Sequence, residues 1–166
     1  MIAPDYGRRM ARYALWQNRS LAAAASALTD EDRWRDRGAF FGSIAETSNH
    51  LLWGDRRWLA RLSRTPEPEW PVGCPHTAEP RGWKDYRAER AALDAAMVAW
   101  ADGVGAGDLH GTLRFERGGE SVAWDRALCV VHMFNHGTHH RGQIHAMLTA
   151  AGAEPEPTDL PAMPRG

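Results

Sequence analysis

Apolar and polar positions recur with a helical period over four long stretches of this chain. Pro4 to Leu28 is rich in Ala, Leu, Arg, Met and Gln, all strong helix formers. Pro4 sits at its start, where the first-turn N–H groups have no intrahelical partner to lose. Thr29-Asp30-Glu31-Asp32 has the form of a new helix start, an N-cap residue followed by acids, and Gly38 breaks the pattern a few residues later. Ser43-Ile44-Ala45-Glu46 fits a capping box and opens a second long helix to about Leu62. Thr65 to Arg81 contains Pro66, Pro68, Pro71, Pro75 and Pro80 and reads as a crossing loop. Gly82 to about Asp102 reads as a third long helix, ended by Gly103, Gly105 and Gly107.

The period then changes. Leu113-Arg114-Phe115-Glu116 alternates, a Gly118-Gly119 pair comes next, and Ser121-Val122 resumes, which predicts a small β-hairpin. From about Ala123 to Ala151 the helical period returns, with Gly152 in the position of a C-cap and a proline-rich extended tail beyond it. Four long helices bury their apolar faces best against one another, so the expected fold is an all-α four-helix bundle with a small hairpin before the last helix. The 166 residues suit a single domain over 1–166.

Composition narrows the partners. Hydrophobic residues make up 43% and charged residues 25%, and the net charge of −1 points to neither nucleic acid nor anionic lipid. Apolar runs fall short of the roughly 20 residues of a membrane span, and the N-terminus lacks a signal-type apolar core. Two cysteines, Cys74 and Cys129, suggest no disulfide framework. The expectation is a cytoplasmic protein acting on a small molecule. Its eight tryptophans could fill a core or line a pocket.

The chemistry concentrates in HMFNHGTHHRGQIH, where His132, His136, His139, His140 and His145 are five of the eight histidines. At about 100° per residue, His132, His136, His139, His140 and Gln143 share one stripe, flanked by Leu128, Met133 and Ile144. Phe134, Arg141 and His145 fall on the far side. The stripe is expected to face the bundle interior. Each unpartnered buried imidazole would cost about 1–3 kcal/mol, and a metal ion removes that cost by taking a ring-nitrogen lone pair. The alternative is that these rings only hydrogen-bond in the core or line a pocket. Two pairs stand one helical turn apart, His132/His136 and His136/His140, and spacing does not choose between them. A third ligand must come from elsewhere. His50 on the second helix is the obvious donor, ahead of His76 and His110. Periodicity puts His50 on a polar stripe with Ser43, Glu46, Thr47, Trp53, Gly54 and Arg57, not on the apolar face. Cys129 shares the histidine face but stands too far along the axis for a ligand and reads as a core cysteine. Asp55-Arg56-Arg57-Trp58 reads as a solvated face with one packing tryptophan. The zincin H-E-x-x-H, the di-iron E-x-x-H and the P-loop are all missing.

Asn135-His136-Gly137-Thr138-His139-His140-Arg141-Gly142-Gln143 resembles the N-H-x-x-[YH]-H-R-G-Q hallmark of the DinB/YfiT-like metalloenzyme family. Asn49-His50-Leu51 with Asp55 and Trp58 resembles the same family's second-helix segment, and ARYALWQNRSL and GAFFGSIAET are similar to its first helix and the run into its second. The resemblance implies an up-down-down-up bundle, often a homodimer, with a divalent metal, zinc or nickel, held by His50, His136 and His140. His132 and His139 then become candidate catalytic residues, and Asn49, Trp53, Asn135 and Gln143 line the pocket or orient the ligands. The resemblance also implies activation of a low-molecular-weight thiol for transfer to an electrophile. A metal-dependent hydrolase and a non-enzymatic, damage-inducible metal-binding protein are the alternatives.

Overall fold

The computed structural model describes residues 2–67, 69 and 82–164. Helix α1 spans Pro4–Ser26, and a single short turn of helix, α2, spans Asp30–Trp34. Helix α3 spans Ile44–Ser63, α4 spans Trp83–Gly103 and α5 spans Arg126–Ala150. Strands β1 (Thr112–Arg117) and β2 (Glu120–Asp125) pair antiparallel between α4 and α5. The fold is therefore mostly helical with a two-stranded antiparallel sheet. Most of the proline stretch after Glu67, with Cys74 and His76, lies outside the described residues.

Local sequence explains most boundaries. Thr29 caps α2 by accepting from the Asp32 N–H at 3.1 Å. Ser43 caps α3 by accepting from the Glu46 N–H at 3.1 Å, while its hydroxyl donates to the Glu46 carboxylate at 2.8 Å. Two boundaries differ from the periodicity. The first helix stops at Ser26, two residues short of Leu28, and the last begins at Arg126 rather than near Ala123. The second shift has a clear cause. Gly118 and Gly119 both adopt positive φ, at 62° and 84°, which gives a two-residue turn whose twist suits long strands. The ladder consequently runs to Asp125, opposite Thr112. Asp125 then caps α5, its carboxylate accepting from the Leu128 N–H at 2.8 Å.

Helix α1 packs on α4 and α5, and α3 packs on α5 and α4. Two apolar clusters form. One gathers Ala11, Ala14, Leu59, Leu62, Met97 and Ala101 with the hairpin's Leu113 and Phe115 and with Cys129, Met133 and Phe134 of α5. The other gathers Leu21, Ala25, Ile44, Leu51, Ile144, Met147 and Leu148. Each long helix also carries polar residues that are buried: Asn18, Asp55, Arg90 with Asp94, and His140 with Arg141. The Arg90 guanidinium joins two carboxylates in this layer, Asp55 at 2.8 Å and Asp94 at 2.7 Å, and Asn18 donates to Asp94 at 2.8 Å. Burial pushes both aspartates above the ordinary carboxylate range despite the arginine, and the Arg90 pKa is raised by the two carboxylates, whose attraction outweighs its own burial.

Three expectations are corrected here. Asp55 is not solvated: it is 2% exposed and ion-paired, whereas Arg56 and Arg57 are part-exposed and Trp58 packs as expected. Phe134 and Arg141, placed on the outer side of α5, are buried at 2% and 5%. Leu128, placed beside the inner stripe, is 52% exposed. The buried arc of α5 centres about 90° round the helix from His136, because α1, α3 and the hairpin all pack against it. The histidine stripe is the border of that arc, not its middle.

The tail also does more than extend. Gln17 donates to the Pro157 carbonyl at 2.8 Å, Tyr13 donates to the Thr158 carbonyl at 2.6 Å, and the Glu156 N–H donates to the Ser20 hydroxyl at 2.7 Å. The segment is thereby fastened along α1 before a short 3₁₀ turn at Leu160–Ala162.

Candidate metal centre

His136 and His140 lie one turn apart on α5, and α3 crosses them at His50. The three Nε2 atoms converge. His136 Nε2 is 3.3 Å from His50 Nε2 and 3.1 Å from His140 Nε2. One ring nitrogen from each of the three lies within 4.8 Å of the others. A tetrahedral ion with metal–nitrogen bonds of about 2.0–2.1 Å would space its ligand nitrogens about 3.3–3.4 Å apart, so the donor set already has close to the required dimensions.

Hydrogen bonding favours the same reading. The side-chain oxygen of Gln143 accepts from His140 Nδ1 at 2.7 Å, which leaves the His140 Nε2 lone pair facing the cluster. His136 Nδ1 is buried and has no hydrogen-bond partner among the described residues. A proton on His136 Nδ1 leaves a buried donor unpaired. A proton on Nε2 serves one neighbouring ring only and leaves Nδ1 as an unpaired acceptor. Neither tautomer satisfies the cluster; a cation shared by the three Nε2 atoms would take up all three lone pairs that now crowd one another, with the His136 proton on Nδ1. Burial, followed by the neighbouring histidines, pushes His136 down to about 4, and burial also lowers His140. Both rings are thus neutral at pH 7, the state a metal requires.

The surroundings fix the rings. Phe41, in the connection between α2 and α3, lies against His50 with ring centroids 4.1 Å apart and reaches His140 at 5.6 Å. Trp53 lies 5.6 Å from His50 on the next turn of α3. Gly54 is the residue that periodicity passed over. A Cβ at position 54 would stand 2.8 Å from His136 Cε1, so the glycine leaves the room the ring occupies. The only hint in the sequence is a glycine inside a helix, where it costs about 1 kcal/mol relative to alanine and calls for a packing reason.

The remaining candidates divide. His132 is exposed, and its ring meets Trp58 edge-on at 4.8 Å and His136 at 5.9 Å. Burial and nearby Arg117 lower its pKa. His139 is exposed and touches His140 at 4.9 Å. Asn135 is exposed, and Asn49 is buried beside His50. His110 is exposed next to the hairpin and joins no cluster with the three. A cleft of about 300 Å³ opens beside His136 and His132, between α3 and the hairpin. A larger groove of about 490 Å³ lies between α1 and α4 and contains none of the histidines.

The DinB family model matches residues 1–166, the whole chain. The chain belongs to the DinB family. A solved structure of a DinB-like protein from Bacillus cereus ATCC 10987 superposes with a TM-score of 0.61 at 17% identity, covering 86% of this chain and 90% of that one. That likeness speaks for the DinB-like fold. No curated protein matches the sequence significantly. Among the described residues, no helix is long and apolar enough to cross a membrane.

Proposed function

We propose that this DinB-family chain is a metal-dependent enzyme in which His50, His136 and His140 hold a divalent ion, zinc or nickel, and a low-molecular-weight thiol is activated for transfer to a small electrophile. The observation that carries the reading is the convergence of three Nε2 atoms beside a cleft that His136 itself lines. Three protein ligands leave room for a small molecule, as catalytic sites do and closed structural sites do not. Such an ion supplies Lewis acidity to a nucleophile.

The chain's own residues do the rest. Gln143 holds His140 in the ligating tautomer, and Phe41 and Trp53 hold the His50 plane. His132, neutral at pH 7 and lining the same cleft, is placed to take the proton that the thiol gives up. His139 lines no part of that cleft, and its role is to buttress His140. We further read the four long helices as an up-down-down-up bundle, supported by the order in which each helix meets the two apolar clusters. A cytoplasmic homodimer with no nucleic-acid or membrane partner completes the proposal.

Elemental analysis tests it directly. The purified protein should carry about one divalent ion per chain, and His50→Ala and His140→Ala should each lose it. Unchanged metal content in either variant would sink the triad. Thiol-dependent consumption of a generic electrophile is the expected activity. Hydrolysis of a model ester without thiol dependence would move the assignment to a metal-dependent hydrolase, and neither activity would leave a metal-binding protein.

A further inference from the structure

The cleft beside His136 has walls of an unusual composition. Trp53, Trp58 and Trp124 supply flat apolar surface, and Arg57, Arg61 and Arg117 supply charge. Each arginine lies over one of these indoles: Arg57 over Trp53 at 5.0 Å, Arg61 over Trp58 at 5.2 Å and Arg117 over Trp124 at 5.1 Å. Stacking holds a guanidinium in place without neutralising it, and leaves the in-plane N–H groups free to donate. Glu67 takes up part of this capacity, bonding Arg57 Nε and Arg61 Nε at 2.7 Å each. Arg61 also donates to the Glu116 carbonyl at 3.3 Å. Among the described residues Arg117 has no ion-pair partner. Among the described residues, the one carboxylate ion-paired with these three guanidiniums is that of Glu67, on Arg57 and Arg61.

We propose that this cleft binds the anionic group of the substrate, a small flat apolar molecule bearing a carboxylate, with Arg117 as the anchor and the tryptophans as the walls. A volume of about 300 Å³ suits a ligand of that size. The fork of one guanidinium matches the two oxygens of a carboxylate. Because His132 and His136 line the same cleft, a molecule anchored on the hairpin lies beside the three-histidine cluster. The inference rests on the metal-centre reading for its chemistry, although the binding itself needs no metal.

The test is titration calorimetry at low salt with 2-naphthoate and its uncharged isostere 2-naphthamide, on full-length protein both zinc-loaded and chelator-treated. Naphthoate should bind at least tenfold more tightly than naphthamide in both forms. Arg117→Ala should abolish that preference and leave naphthamide binding unchanged. Arg114→Ala, on the same strand but outside the cleft, should change neither. Equal binding of acid and amide overturns the inference, as does an equal loss in the Arg114 variant. A preference that appears only with zinc and survives Arg117→Ala places the anion at the metal; the cleft inference then falls and the metal centre stands. A preference that depends on Arg117 in a protein found to hold no metal keeps the cleft and removes the metal reading.

Discussion

Gly54 and His136 share one space: a Cβ on residue 54 of α3 would stand 2.8 Å from Cε1 of the His136 ring on α5. The two helices therefore approach closely enough for His50, one turn before Gly54, to meet both histidines of α5. Substituting alanine sets two effects against each other. The helix gains about 1 kcal/mol in propensity, while the ring must move away from the point where the three Nε2 atoms meet. Gly54→Ala should weaken zinc affinity by at least about tenfold with little change in the thermal midpoint of the metal-free protein, measured by competition with a chromophoric chelator and by circular dichroism. Undiminished affinity would show that the ring has another place to go.

Gln143 controls which nitrogen of His140 carries the proton. Losing an outer partner of a metal-ligating histidine costs about 10–100-fold in affinity. Gln143→Ala should show that loss, and Gln143→Glu, which retains an acceptor at the same distance, should recover most of it. Equal affinity across the three proteins would mean that the 2.7 Å contact does not set the tautomer.

The buried ion cluster should matter to folding more than to chemistry. Arg90→Met leaves Asp55 and Asp94 buried without the cation both contact. Removing one partner from a buried pair costs about 3–5 kcal/mol. Urea denaturation at pH 7 should register a loss of that order, and a loss below about 1 kcal/mol would be inconsistent with the pairing.

Acid should destabilise the metal-free protein over a defined window. The folded state holds His136 at about 4 and lowers His132 and His140 in the same direction. Unfolded histidines titrate near 6.5, so between that pH and about 4 the unfolded chain binds more protons and stability falls as pH falls. His136 alone contributes on the order of 1–3 kcal/mol across this window, less whatever water reaches the ring. Urea midpoints of chelator-treated protein from pH 7 to pH 4 should decline, and His136→Gln should flatten the decline. A pH-independent midpoint would contradict the depressed ring.

Much of this protein is set by local sequence. Thr29, Ser43 and Asp125 cap helices through their own side chains, and Gly118-Gly119 makes the hairpin turn, because these effects act within four residues. The clustering of histidines on one side of α5, and their suitability for a metal, were also legible. Spacing alone treated His132/His136 and His136/His140 as equals, and the family resemblance pointed to the second pair. Tertiary structure brings His140 to His50 and His136, and leaves His132 against Trp58. It also buries His50 on what periodicity marks as the polar side of α3, and Phe134 and Arg141 on the outer side of α5. The physical reason is common to all three. A single apolar stripe describes a helix with one neighbour, whereas α3 and α5 each touch two other long helices or more and the hairpin, so burial depends on the crossing of elements distant in sequence.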